Sequence, residues 1–267
     1  MSQATGQAPL TGRIALVTGA ARGLGAATAQ ALTAAGARVM VADILKDVGE
    51  QTASALAGGE FVELDVTDDG AWEAAVAHTV STLGGLDIVV NNAGLEVTSL
   101  IADVEPDDHR RMFEVNLLGT LLGIKHAFRA MRPGGAAGNG GVVINIASVA
   151  ATIAFPAIAG YSATKSGIDR LTRVAAAESG KLGYGVRVNC VYPGLCPTDM
   201  GMKLAVETSA LGLFASPEDA VAQVVALTPS GRLAEPSDIA DVVTFLASDQ
   251  ARFVNGAGLP VDGGMGM

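Results

Sequence analysis

The chain has 267 residues, 49% hydrophobic and 16% charged, which is enough to bury a substantial core without a disulfide or metal staple and too apolar for a disordered chain. A formal net charge of −10 and a pI of about 4.7 argue against a nucleic-acid binder, which would need a basic surface, and leave a small-molecule ligand open. The two cysteines, Cys190 and Cys196, have no metal-ligand spacing and read as small packing residues in a reducing compartment, so no metal is expected. No run reaches 18 apolar residues, and the opening MSQATGQAPLTGR has no charged segment ahead of an apolar one. The reading is a soluble, cytoplasmic protein whose residues 1–10 form a short flexible tail.

Strand and helix patterns alternate from residue 11 onward. RIALVTG (13–19) is a short apolar run ending in glycine, the mark of a buried strand, and 24–36 reads as a helix closed by Gly36. Strands follow at 38–43, 60–65 and 86–94, separated by helices at about 46–57 and 68–83. Pro106 opens a long helix, with Asp107 and Asp108 suited to the positive end of its dipole. After the flexible turn PGGAAGNGG come a strand at 142–148, a helix through YSATK (161–165) to about Lys181, and a strand at 185–194. The stretch from Leu195 to about Leu233 breaks the alternation. A helix at 236–249 and a last strand at 258–264 complete the pattern. This order predicts one α/β domain over 11–267, with a Rossmann-type doubly wound, mostly parallel seven-stranded sheet between helices and a ligand beyond the carboxyl ends of the strands.

TGAARGLG (18–25) joins the first strand to the first helix. Gly19 permits the tight turn, and Gly23 and Gly25 leave room for a pyrophosphate near the helix N-terminus; Arg22 and Leu24 belong to the same turn. Asp43 ends the second strand, where a carboxylate can accept from ribose hydroxyls and would repel a 2′-phosphate. Ile44 follows it, so NAD is expected over NADP, although Arg22 is a base that could hold such a phosphate. Asp65, with Val66 beside it, is placed to meet the adenine. NNAG, with Asn92, Ala93 and Gly94, is small enough to let the backbone run close to a cofactor. His78, His109 and His126 are expected to be partly solvated and offer no rival catalyst.

TGAARGLG, NNAG, Asn116 in EVNLLG, Ser148 in NIAS, YSATK and YPG (192–194) come in this order at spacings that resemble the short-chain dehydrogenase/reductase family, over about residues 10–264. The resemblance implies that Tyr161 is the general acid/base and that Ser148 polarises the substrate oxygen. Lys165 would bond the nicotinamide ribose, and Asn116 would anchor a water in a proton relay. Pro193 and Gly194 would turn the chain beneath the nicotinamide, with Thr198 reaching its carboxamide. A lysine one helical turn from the tyrosine is expected to lower the phenol pKa.

Apolar side chains in DMGMKLAVETSALGLFA, namely Met200, Met202, Leu204, Leu211, Leu213 and Phe214, suggest that residues 195–233 form a mobile lid over the substrate. Val149, Ala150, Ile153, Phe155 and Glu96 are candidate pocket walls. Little here would pair with a carboxylate, so the expected substrate is a secondary alcohol or ketone on a bulky, apolar or cyclic frame, similar to those of hydroxysteroid dehydrogenases. A 3-oxoacyl-carrier reductase is the enzymatic alternative, with Arg129 and Arg132 available to an acidic carrier. An NAD-sensing regulatory protein is the non-enzymatic one, although it would not need Ser148, Tyr161 and Lys165 together. The resemblance also implies a homotetramer paired through the long helices. Ala163, Ile168, Leu171, Val174, Ala175 and Ala176 put apolar surface on more than one side of the second of these, and VDGGMGM could meet another interface or close a neighbour's pocket.

Overall fold

The computed structural model describes residues 8–267. Seven strands form one parallel sheet: β1 (Ile14–Thr18), β2 (Arg38–Asp43), β3 (Glu60–Glu63), β4 (Ile88–Asn91), β5 (Gly141–Ile146), β6 (Val186–Pro193) and β7 (Gly258–Val261). Their spatial order is β3-β2-β1-β4-β5-β6-β7. The order reverses between β1 and β4, whose pairing runs only from Ala15↔Ile88 to Val17↔Val90. Beyond it the chain departs to opposite sides, which opens a crevice at the carboxyl ends of the strands. The five inner strands are short, largely buried and rich in β-branched residues because helices cover both faces, whereas the edge strands β3 and β7 are more open.

One face is covered by α1 (Gly23–Ala34) and α9 (Pro236–Ala247), which close over Val17, Val41, Val90 and Ile144. The other carries α3 (Asp69–Leu83), α5 (Gly119–Met131) and α6 (Ala159–Leu182), packed on Leu16, Met40, Val89 and Val143. Between β2 and β3 lies α2 (Lys46–Ser54). The helix opened by Pro106 is α4 (Pro106–Phe113), which continues into α5 through one π turn, Glu114–Leu118. The extra residue of that turn carries Asn116, which is fully buried.

The expected elements are all present, with strands shortened at their ends. The segment at 195–233 differs more. It holds two helices, α7 (Asp199–Ala210) and α8 (Pro217–Ala226), each started by a side-chain cap, Thr198 and Ser216. Its two ends meet, because the Ala234 N–H donates to the Leu195 carbonyl at 3.1 Å.

Two expectations need correction. Residues 1–7 of the expected tail lie outside the described residues, but Leu10 is buried and its N–H donates to the Ala35 carbonyl at 2.9 Å. His126 is buried rather than partly solvated, since it stacks on the buried Trp72 and its Nε2 meets Asp69 Oδ1 at 2.8 Å. The C-terminal tail turns back into this chain's own crevice, where Met265 lines the wall. Asp262 holds that turn by accepting from the N–H groups of Gly264 and Gly266, both at 3.0 Å. Among the described residues, no helix is long and apolar enough to cross a membrane.

Candidate active site

The glycine turn is pinned before it is useful. The Thr18 hydroxyl accepts from the N–H groups of Asn92 and Ala93 at 3.0 and 3.1 Å, and Asn92 Nδ2 donates back to the carbonyls of Thr18 and Gly19 at 2.9 and 3.0 Å. Gly19 has φ +61°, and a Cβ there would stand 2.8 Å from Ala93 Cα, so both conformation and space demand glycine. Gly25 has a different task from the one expected. It does not line the crevice; a Cβ on it would meet the Gly19 carbonyl oxygen at 2.2 Å, so it lets α1 pack beneath the turn. Gly23 does face the open side, where a Cβ would meet nothing closer than Thr198 Cγ2 at 3.8 Å.

The crevice has a volume of about 790 Å³ and runs from Asp43 and Asp65 past the glycine turn to Ser148 and Tyr161. Of the expected cofactor contacts, Gly19, Arg22, Gly23, Leu24, Asp43, Asp65, Val66, Asn92, Ala93, Gly94, Pro193, Gly194 and Thr198 all line it. Asp43 is buried, and its oxygens accept from the N–H groups of Ala21 (2.9 Å) and Leu45 (3.0 Å), leaving one lone pair on each. Arg22 reaches across the mouth to Asp199 at 2.9 Å. The residues fit a dinucleotide. The N-terminus of α1 has no capping side chain, so its first N–H groups are free to meet a pyrophosphate beside Gly23.

At the other end, Tyr161 and Lys165 share one face of α6, with Lys165 Nζ 5.4 Å from the centre of the phenol ring. Lys165 is buried and spends one donor on the Ile146 carbonyl at 2.8 Å, keeping two. Burial pushes its ammonium down to about 8. Burial also pushes the Tyr161 phenol up to about 12. The Ser148 hydroxyl works in the opposite direction, while the charges of Glu96 and Cys196 add to the rise. Desolvation of the phenolate sets this direction in the protein alone, and Lys165 is not among the groups that shift it. Ser148 Oγ accepts from the Ala150 N–H at 3.1 Å. Asn116 is committed to the loop after NNAG. Its Oδ1 accepts from the Leu95 N–H (2.8 Å), and its Nδ2 donates to the Leu95 carbonyl (2.9 Å) and to Thr164 Oγ1 (3.1 Å).

Among the pocket candidates, Glu96, Val149, Ala150, Phe155, Met200, Leu204 and Phe214 line the crevice. Ile153, Met202, Leu211 and Leu213 do not; Met202 and Leu211 point into solvent. Leu195 and Cys196 extend the wall, and burial holds the Cys196 thiol up at about 12. Sequence reasoning missed Arg111 and Val115, which line the crevice from α4 and the π turn, and the place of Met265. Val115 follows Arg111 by one helical turn, but nothing local marks Met265.

A family model described as "Enoyl-(Acyl carrier protein) reductase" matches residues 19–266. The chain belongs to the short-chain dehydrogenase/reductase family, whose dehydrogenases use a nicotinamide cofactor, and it is an oxidoreductase. It is 39% identical over 262 residues to the trans-4-hydroxycyclohexanecarboxylate dehydrogenase of Sinomonas cyclohexanicum, covering 94% of this chain and 92% of that protein. It is 38% identical over 256 residues to the 3-alpha-(or 20-beta)-hydroxysteroid dehydrogenase of Mycobacterium tuberculosis strain H37Rv, covering 96% and 90%. A solved structure of a putative gluconate dehydrogenase from Agrobacterium tumefaciens superposes with a TM-score of 0.84 at 34% identity, over 96% of this chain and 97% of that one.

The buried ammonium has a thermodynamic consequence. Lys165 falls from its ordinary 10.5 to about 8 on folding, so between these values the unfolded chain binds the extra proton. The penalty is complete below about pH 8 and fades toward pH 10.5. Lys165→Met is therefore expected to stabilise the fold by up to about 3 kcal/mol at about pH 7, with the gain shrinking near about pH 10. Urea unfolding of both proteins at the two pH values checks this, and a gain equal at both would contradict it.

Proposed function

We propose that this oxidoreductase transfers a hydride between NAD(H) and a secondary alcohol or ketone on a bulky, apolar or cyclic frame. The observation that carries the reading is the convergence of Ser148, Tyr161 and Lys165 on one crevice that Val149, Phe155, Met200 and Phe214 also line. The cyclic frame is supported by the relatives, which are named for hydroxycyclohexanecarboxylates and hydroxysteroids.

When bound, the nicotinamide supplies the acceptor for the hydride. Each proton step belongs to this chain. Ser148 holds and polarises the carbinol oxygen, and Tyr161 takes its proton in oxidation and returns it in reduction. The two donors left on Lys165 orient the nicotinamide ribose and pass the proton onward. Asn116 serves that relay by fixing Leu95 and the NNAG loop beside Lys165: a Cβ on Gly94 would lie 3.2 Å from Asn116 Oδ1 and 3.6 Å from Lys165 Nζ. Pro193, Gly194 and Thr198 support the nicotinamide from below. Asp43 accepts from the adenosine ribose, Asp65 and Val66 frame the adenine, and α7 and α8 act as the lid. Preference for NAD is supported by the burial of Asp43 and by the ion pair of Arg22 with Asp199, which draws that base away from a 2′-phosphate.

An acyl-carrier substrate is disfavoured by position. Arg129 and Arg132 lie at the end of α5 that leads to the start of β5, and Arg132 stacks over Tyr184, just before β6. That is the amino end of the strands, opposite the crevice. A homotetramer is supported by apolar side chains left exposed on the paired helices and the turn between α4 and α5, namely Phe113, Leu118, Leu121 and Val174.

Tyr161→Phe is expected to reduce kcat by about 10²–10⁴-fold while NADH still binds by fluorescence titration; residual activity above about a tenth would remove Tyr161 from its role. Asp43→Ala should weaken NAD and narrow its margin over NADP in steady-state kinetics, and a wild type that already prefers NADP would reverse the cofactor reading. Sedimentation at micromolar concentration should show a tetramer. A monomer would defeat the assembly.

A further inference from the structure

Glu96 is a buried carboxyl on the wall of the crevice. It is 6% exposed, lines the crevice with Ser148 and Tyr161, and follows the cofactor loop by two residues. Its partner among the described residues is the Thr98 hydroxyl, at 2.9 and 3.1 Å from its two oxygens. That hydroxyl has one proton to give, whereas a carboxylate has about four acceptor places. Lys203, whose charge reaches Glu96, is paired with Glu207 at 3.4 Å and makes no hydrogen bond to Glu96 among the described residues. A buried carboxyl with unmatched capacity costs free energy unless something bonds it.

The surrounding backbone holds this group in place. Asn116 clamps Leu95 on one side. On the other, the Ser99 N–H donates to the Ala157 carbonyl at 2.8 Å and ties the loop to the segment leading into Tyr161. Ala157 has φ +68° and is buried, a left-handed conformation that a non-glycine residue keeps only where its surroundings hold it. The carboxyl is thus fixed close enough to the catalytic phenol for its charge to be felt there.

We propose that Glu96 is a specificity-determining residue that hydrogen-bonds a second hydroxyl carried on the ring of the substrate, so that the preferred substrates are alicyclic diols or hydroxyketones. This rests on the alicyclic-alcohol reading above and narrows it. A hydroxyl suits the site because it can donate to a carboxylate and accept from a carboxylic acid. Burial pushes the Glu96 carboxyl up and Glu207 adds to the rise, which disfavours the charged form that a cation would need. A substrate carboxylate would meet the field of Glu96 and Glu207. A ring with no second polar group would leave the carboxyl unmatched.

The test compares cyclohexanol, trans-1,4-cyclohexanediol and trans-4-hydroxycyclohexanecarboxylate, with NAD and with NADP, on the full chain as wild type, Glu96→Gln and Glu96→Leu. The wild type is expected to favour the diol over cyclohexanol by about tenfold or more in kcat/KM. Glu96→Leu should bring that ratio near one, and Glu96→Gln, which still donates and accepts, should keep most of it. A ratio near one in the wild type, an equal ratio in wild type and Glu96→Leu, or a wild-type preference for the carboxylate overturns the proposal. The wild-type ratio decides alone should Glu96→Leu fail to fold. Turnover of the monoalcohol without preference for the diol sinks only the role of Glu96. Turnover of none of the three sinks the alicyclic-alcohol reading and this assignment with it.

Discussion

The cleft depends on the bonding around Thr18. Its oxygen accepts two N–H groups from the end of β4, and its proton points to the Val90 carbonyl at 3.4 Å. Asn92 closes the exchange from the other side. Two strands that part company at their carboxyl ends are thereby stitched at the point of departure. The crevice is held open by polar bonds between two loops, and these bonds leave the backbone N–H groups of the α1 terminus unspent. A hydrophobic contact could hold the loops together but could not orient them in this way.

The catalytic end rests on a different balance. Lys165 and Tyr161 are brought together by helical spacing, and burial acts on both toward the neutral form. A neutral phenol can give a proton but is a weak base, so this environment favours Tyr161 as an acid in the protein alone. A bound cofactor's positive charge would act in the other direction. The polar contacts made by Ser148 and Asn116 chiefly fix backbone, at Ala150 and Leu95, which places the pocket walls relative to the phenol.

The alternation of elements was legible because parallel strands buried on both faces and amphipathic helices leave different periodicities. The site was legible where a motif is contiguous: TGAARGLG, NNAG and YSATK each lie on one turn or one helical face. Other features were hidden. The duty of Gly25 depends on how closely α1 approaches the Gly19 carbonyl, a tertiary distance with no local signal. The burial of His126 follows from Trp72 and Asp69, which are 54 and 57 residues away. Met202 and Leu211 were read as pocket residues from composition, but once the segment coils into α7 and its C-cap its turns direct them to solvent. The desolvation of the Tyr161 phenol was hidden as well, because spacing reports which groups are neighbours and not how dry they are.

The segment from Leu195 to Ala234 begins and ends at one hydrogen bond. A piece of chain whose two ends already touch can change length at small entropic cost, since closure depends only logarithmically on the number of residues enclosed. The sheet, the glycine turn, Tyr161 and Lys165 all lie outside it, while Thr198 and much of the remaining crevice wall lie within it. The fold therefore divides into a part that must be kept for turnover and a part that can be exchanged as a cassette. Selection, or an engineer grafting α7 and α8 from another member, can alter what is turned over without first having to rebuild how.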